Sequence, residues 1–189
     1  MRTFAIALVH HPVLDREGAI VTSAVTNLDV HDLSRSARTY GASAFFVTSP
    51  IAAQRALVEK ILEHWTKGAS AARIPSRRDA LSIVRVVTSL EEAIEALGGR
   101  SAVELWATAA RADAGGAPMI GTYAEARARL ASADARSVLL VFGTSWGLAP
   151  SLVDGCDARL PPIDGHSSDG YNHLSVRAAC AITLDRIAG

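Results

Sequence analysis

Apolar runs of strand length alternate along the chain with segments in which apolar residues recur every three or four positions. The apolar runs predict strands over residues 4–9, 20–25, 42–50, 81–89, 103–108 and 138–142. The helical pattern predicts helices that begin near residue 32 and at residues 51, 89, 122 and 174. Because strands and helices alternate, we expect an α/β fold with a mainly parallel sheet flanked by helices.

Capping residues indicate where several of these helices begin and end. Asp32 or Asp29 is expected to cap the first helix, and Gly41 is expected to end it. Ser89 is expected to cap the helix that follows the fourth predicted strand. The segment 67–80 has no clear period, and it is predicted to be a loop.

The composition is that of a folded protein without a strong overall charge. The chain has 189 residues, of which 49% are hydrophobic and 20% charged, and residues 1–189 are expected to form a single domain. Its formal net charge is zero, so no global basic field indicates nucleic-acid binding, although a local basic patch remains possible. The apolar run 4–9 is too short to span a membrane, and we expect a cytoplasmic protein without membrane attachment.

The cysteines and histidines do not suggest a metal site. Cys156 and Cys180 form neither a CxxC motif nor a disulfide framework. The six histidines have no metal-ligand spacing, so no bound metal is expected. His10 and His11 follow the first predicted strand, and we interpret them as the solvent-facing end of that strand.

The strand 138–142 leads directly into the sequence GTSWG at residues 143–147. The chain has neither a GxGxxG fingerprint nor a GxxxxGK[ST] loop, but GTSWG matches the GxSxG pattern of serine hydrolases. Ser145 would then be the nucleophile, and the order Ser, Asp, His along the chain is that of such enzymes. The candidate acids are Asp154, Asp157, Asp164 and Asp169, and the candidate bases are His166 and His173.

Three segments near the end of the chain carry a more specific signal. They are "VLLVFGTSWGL", "CDARLPPI" and "DGYNHLSVRAACAITLDRI", in that order. Together they resemble the SPOUT superfamily of S-adenosylmethionine-dependent RNA methyltransferases. Upstream, "HDLSRSARTYGASAFFV" resembles the superfamily element in which a polar residue, here Asp32, precedes an arginine, here Arg38, on a helix that ends in glycine. The whole pattern is most similar to a small, single-domain bacterial family related to the tRNA guanine-N1 methyltransferases.

The resemblance implies a C-terminal trefoil knot and a homodimer, with S-adenosylmethionine bound between three loops. Gly143 and Gly147 would let the backbone approach the cofactor closely, since neither carries a Cβ. The residues that match the cofactor loops are Thr108, Ala109, Phe142, Gly143, Thr144, Gly147, Leu148, Leu160, Pro161, Ile163, Tyr171, Asn172, His173 and Leu174. A SPOUT-like protein that binds cofactor or RNA without catalysis is a further alternative.

The resemblance also suggests residues for catalysis and RNA binding. Arg38 would assist catalysis if the methyl acceptor is a ribose hydroxyl. If the acceptor is a guanine nitrogen, a carboxylate base is expected, and the candidates are Asp169 and Asp164. Arg35 and Arg38 lie three residues apart on the predicted helix, so both could contact RNA phosphates. A second basic cluster in the predicted loop could also bind RNA; it consists of Arg73, Arg77 and Arg78.

Overall fold

Six parallel strands form one sheet, and helices cover both of its faces. The structure is a computed structural model that describes residues 2–67, 72–110 and 116–189. The strands are β1 (Phe4–Val9), β2 (Val13–Leu14), β3 (Ile20–Val21), β4 (Phe45–Thr48), β5 (Val84–Val87), β6 (Val103–Ala107), β7 (Ser137–Gly143) and β8 (Ala158–Arg159). The helices are α1 (Asn27–Thr39), α2 (Ala52–Thr66), α3 (Pro75–Leu81), α4 (Leu90–Ala96), α5 (Tyr123–Ala131), α6 (Pro150–Asp154) and α7 (Val176–Ala188).

The sheet has the strand order β5-β4-β1-β7-β6-β8, and β2 and β3 form a separate antiparallel hairpin. From β1 the chain builds outward through β4 to β5. It then crosses to the other side of the sheet and forms β6, and β7 fills the place between β6 and β1. The direction of winding therefore changes beside β1 and β7. In parallel sheets such a position is where ligands bind, outside the carboxyl ends of the strands.

Two buried apolar clusters hold the helices against the sheet. Along β1, residues Phe4, Ile6 and Leu8 belong to the cluster beneath α1, α2, α5 and α7. The alternate residues of β1 belong to the cluster beneath α4 and α6. Because successive side chains of a strand point to opposite faces, a strand that is buried on both sides has a continuous apolar sequence. This explains the apolar runs from which the α/β fold was predicted, and that prediction is confirmed.

The first helix begins earlier than predicted. The N-cap of α1 is Thr26, whose hydroxyl accepts a hydrogen bond from the backbone N–H of Asp29. Asp29 lies in the first turn and Asp32 inside the helix, so the expectation that either of them caps α1 is wrong. Both carboxylates are instead near Arg177 of α7. Gly41 follows the helix with φ of +80°, in agreement with its predicted role.

Part of the predicted loop 67–80 is helical. Helix α3 begins with a proline, which suits the first turn of a helix because no intrahelical partner is available there for a backbone N–H. Its residues Ala80 and Leu81 are buried, and Arg77 and Arg78 lie on this helix rather than in a loop. Residues 68–71 of the predicted loop lie outside the described residues.

Other bounds also differ from the sequence prediction: Leu81, the first residue of the predicted strand 81–89, is the last residue of α3, and β5 begins at Val84. The second predicted strand, 20–25, is confined to Ile20–Val21. The last helix begins at Val176 instead of Leu174, because the Ser175 hydroxyl accepts a hydrogen bond from the N–H of Ala178 and caps it. Ser89 caps α4 as predicted. Within the described part of the chain, no helix combines the length and hydropathy needed to cross a membrane.

Candidate functional site

The loops that follow β6, β7 and β8 meet at the carboxyl edge of the sheet. Strand β7 lies between β1 and β6, with Gly143 paired to Val9. Thr108 donates hydrogen bonds from its backbone N–H and its hydroxyl to the carbonyl of Val141, at 2.9 and 3.0 Å. The N–H of Leu160 donates to the carbonyl of Ala107 at 2.8 Å. The structure therefore brings together the three loops that the sequence resemblance placed around a cofactor.

Two glycines give the loop after β7 its shape. A Cβ on Gly143 would lie 2.8 Å from the backbone nitrogen of Leu148, because the chain turns back over this position. Gly147 has φ of +110°, a conformation that side chains disfavour, and its N–H donates to the carbonyl of Thr144. Both glycines are therefore required by the loop itself. From the sequence they were expected to let the backbone approach a cofactor closely.

The β2–β3 hairpin holds this loop from outside. The N–H of Leu14 donates to the carbonyl of Gly147 at 2.9 Å, and the N–H of Trp146 donates to the carbonyl of Leu14 at 3.1 Å. The N–H of Ala149 donates to the carbonyl of Pro12. The loop is thus anchored by backbone hydrogen bonds, while the Trp146 side chain remains 65% exposed.

A buried polar chain supports the start of the same loop. His10 has no exposed surface, and its Nδ1 lies 2.9 Å from the Ser23 hydroxyl. That hydroxyl lies 2.5 Å from the Thr144 hydroxyl, which donates to the carbonyl of Val9 at 3.2 Å. These contacts run from the ring of His10 through the two hydroxyls to the carbonyl of Val9, and the Ser23 hydroxyl also lies 3.5 Å from the carbonyl of His10, to which it can donate.

The environment of His10 keeps its imidazole neutral. Burial lowers the pKa of His10 to about 4, although the nearby carboxylate of Asp29 acts in the opposite direction. The expectation that His10 faces solvent is wrong, because the hairpin and Ser23 cover the end of β1. The sequence did contain a signal of this burial, because His10 directly follows a fully buried strand. Nothing in the sequence indicated Ser23 as its partner.

The segment 171–174 returns to the loop after β8, as the resemblance implied. The side-chain amide of Asn172 donates to the carbonyl of Ile163 at 3.0 Å. Leu160 is buried, whereas Pro161 and Ile163 are half-buried. Tyr171, His173 and Leu174 are exposed, and the Tyr171 and His173 rings meet edge to face.

The predicted cofactor residues differ in what they can offer a ligand. Phe142, Leu148 and Leu160 have core side chains, which leaves their backbone groups as what they could offer a ligand. The half-buried residues of the loops are Thr108, Ala109, Gly143, Thr144, Gly147, Pro161, Ile163 and Asn172.

Asp169 is exposed and forms a turn. Its carboxylate accepts hydrogen bonds from the Ser167 hydroxyl and, at 3.0 Å, from the N–H of Tyr171. These bonds, that of Ser167 first, lower the pKa of Asp169 below its usual value. A carboxylate stabilised in this way is a weaker base than an unbonded one.

Helix α1 presents Arg35 and Arg38 to solvent, and neither forms an ion pair within the described residues. An ion pair ties this helix to α7. Nη1 of Arg177 lies 2.7 Å from Oδ1 of the buried Asp29, whose other oxygen accepts from the Thr26 hydroxyl at 2.6 Å. Arg177 directly follows the capped start of α7, so the pair links α1 to the segment 171–174. Nothing in the sequence indicated this role of Arg177.

The geometry does not support a serine hydrolase. Ser145 is exposed with φ of +54°, and no histidine among the described residues forms a hydrogen bond with it. Three of the four candidate acids have other partners: Asp157 pairs with Arg100 at 2.9 Å, Asp154 accepts from the N–H of Gly116 at 2.6 Å, and Asp169 accepts from the N–H of Tyr171 at 3.0 Å. Across the described ranges there is also no group of three or more His, Cys, Asp or Glu residues that could hold a metal ion.

Comparison with known proteins places these features in a family. Residues 3–189 match the model of a family described as SAM-dependent RNA methyltransferase. A tRNA (guanine-N(1)-)-methyltransferase of Nitratidesulfovibrio vulgaris is 43% identical over 188 residues, which are 100% of this chain and 42% of that protein. The chain thus spans less than half the length of this relative. An uncharacterized protein of Aquifex aeolicus is 36% identical over 185 residues, with 96% of this chain and 86% of that protein covered.

The fold also matches solved structures. The crystal structure of TrmJ from Z. mobilis ZM4 aligns with a TM-score of 0.64 at 13% identity, over 98% of this chain and 68% of that one. At this identity the match concerns the fold alone.

Proposed function

The chain belongs to the family of SAM-dependent RNA methyltransferases, and we propose that it transfers a methyl group from S-adenosylmethionine to RNA. The observation that carries the proposal is the meeting of three loops at the carboxyl edge beside β7. The relative from N. vulgaris is named as a tRNA enzyme, so tRNA is the substrate class to test first.

The chemistry of the loops suits this cofactor. Residues 142–148 and 160–163 carry no charged side chain, so their donors and acceptors are backbone groups, hydroxyls and the indole N–H of Trp146. Backbone N–H and C=O groups can pair with an adenine edge, and half-buried Pro161 and Ile163 offer apolar walls. When bound, S-adenosylmethionine supplies an activated methyl group on a sulfonium sulfur. We further propose that the segment after β7 forms the trefoil knot typical of SPOUT proteins.

The chain's own residues would orient the acceptor and remove one proton. Arg38, and Arg35 one turn before it, form no ion pair with any residue in the described ranges, and their cations suit the phosphates around the target nucleotide. For a ribose hydroxyl, Arg38 would stabilise the oxygen as its proton leaves. For a guanine nitrogen, Asp169 or Asp164 would accept the proton, and Asp169 would act as a weak base because of its two hydrogen bonds.

A homodimer is part of the proposal. An open groove of about 480 Å³ lies along the surface between α1 and α7. Its lining residues include Arg35, Tyr40 and Arg177. The small side chains of Ala178, Ala179 and Ala181 in α7 are only half-buried, which would allow a second copy to pack closely.

Isothermal titration with S-adenosylmethionine and S-adenosylhomocysteine, with light scattering for the mass, tests the proposal. We expect micromolar binding by a dimer, and methyl incorporation into unmodified tRNA. Ile163→Trp should block the site and weaken binding at least tenfold, whereas Ile51→Trp, at an exposed position before α2, should not. If the unmodified protein bound neither S-adenosylmethionine nor S-adenosylhomocysteine, the cofactor site would be refuted. Cofactor binding without methyl transfer to tRNA or rRNA would instead support the alternative of a binding protein without catalysis.

A further inference from the structure

An aromatic and basic cluster lies where α1, α2 and α3 meet, away from the loops described above. Trp65 of α2 is half-buried, and its indole contacts His31 of α1 and His64 edge to face, with ring centroids 5.5 and 5.2 Å apart. The guanidinium of Arg77 from α3 lies over the indole, 4.4 Å from the ring centroid. Three helices therefore contribute to one aromatic surface.

An open groove borders this cluster. Its volume is about 380 Å³, and it is lined by Asn27, Lys60, Ile61, His64 and Trp65. Aromatic rings, a side-chain amide and an ammonium group thus face the same space. Aromatic rings can stack with any nucleobase, and an amide can pair with a base edge.

One cation, Lys60, lines the groove, and Arg77 and Arg35 lie near the aromatic rings of the cluster. Lys60, Arg77 and Arg35 have no ion pair within the described residues. Burial lowers the pKa of His31, and the positive charges of Arg77 and Arg35 lower it further. The carboxylate of Asp32 acts in the opposite direction. The charges of Arg35 and Arg77 therefore both act on the imidazole of His31. The exposed side of α1 that carries Arg35 thus adjoins the Trp65 cluster. Unpaired cations beside aromatic rings favour a ligand that has both bases and phosphates.

We propose that the groove beside Trp65 binds an unpaired nucleobase of the RNA substrate, while Lys60, Arg77 and Arg35 contact the neighbouring phosphates. This inference rests on the proposed function, since it assumes that RNA is the substrate. It adds a second contact region, which would hold a nucleotide away from the methylated one.

Fluorescence anisotropy with a short, fluorescein-labelled single-stranded RNA of mixed sequence tests the groove. Trp65→Leu keeps an apolar side chain against the core but removes the aromatic face, and it should weaken RNA binding about tenfold, as expected for one stacked base. Trp65→Phe should retain most of the affinity. Arg77→Ala should weaken binding and reduce by about 1 the slope of log affinity against log salt. Thermal unfolding of each variant checks that it is folded.

Heparin, a polyanion without bases, separates stacking from charge. Arg77→Ala should weaken heparin binding as well, whereas Trp65→Leu should not. RNA binding by Trp65→Leu as tight as that of the unmodified protein, or an equal loss of heparin binding, would overturn the inference. Titration of the same samples with S-adenosylmethionine distinguishes the two proposals. Unchanged cofactor binding together with unchanged RNA binding by Trp65→Leu would refute the groove alone.

Discussion

The buried histidine at the end of β1 should make the stability of the protein depend on pH. Burial lowers the pKa of His10 from 6.5 to about 4. A histidine whose pKa is lowered by folding binds its proton more readily in the unfolded chain. The His10 contribution to stability is therefore fully present above pH 6.5 and is lost as the pH falls from 6.5 to 4. At about 1.36 kcal/mol for each pH unit, the loss amounts to about 3 kcal/mol.

Urea unfolding measured between pH 7.5 and pH 4 in His10→Asn isolates this effect. Asparagine can donate to Ser23 in place of Nδ1 but does not titrate, so the variant should lose about 3 kcal/mol less than the unmodified protein over this range. His31 and the carboxylates titrate in both proteins, and their contributions cancel in the difference. His166→Asn removes an exposed histidine and serves as the control. If the free energy of unfolding changed equally with pH in His10→Asn and in the unmodified protein, the neutral, buried state of His10 would be refuted.

Two further substitutions test how the site is held together. Arg177→Ala leaves the buried Asp29 without its cation, so it should lower the free energy of unfolding measured in urea by about 3 kcal/mol. The control Arg16→Ala, at an exposed position, should change this free energy by less than about 0.5 kcal/mol. Equal effects of the two would contradict the role of the ion pair. Gly143→Ala places a Cβ 2.8 Å from a backbone nitrogen and should cost about 1–3 kcal/mol in thermal unfolding, and an unchanged midpoint would show that the turn is looser than described.

The sequence predicted the fold well because both faces of the sheet are buried. Strands β1, β4 and β7 are covered on each side, so their apolar runs identify them without any knowledge of their order. The order itself depends on which strands pair, and the insertion of β7 between β1 and β6 has no local signature. Helix α3 was missed because the segment 67–80 has no clear period, although Pro75 suits the first turn of a helix.

The candidate site was only partly predictable, because it too depends on which distant segments of the chain come together. Gly143, Gly147 and Asn172 lie in motifs that can be recognised locally, and the structure brings their segments together at one edge. The contacts that support them join residues far apart in the chain, such as Ser23 with Thr144. No spacing rule predicts such pairs, because they depend on how the sheet is wound.

These long-range contacts link the proposed cofactor loops to the helix that carries the candidate catalytic arginine. Thr144 is held through Ser23 to His10 at the end of β1. The carboxylate of Asp29 at the start of α1 opposes the lowering of the His10 pKa, and it pairs with Arg177. Arg177 in turn lies just beyond the segment that contacts the loop after β8. The ion pair between Asp29 and Arg177 therefore fixes the start of α1 against the helix that follows the segment 171–174. RNA bound to Arg35 and Arg38 would lie on a helix that is tied to one of the proposed cofactor segments.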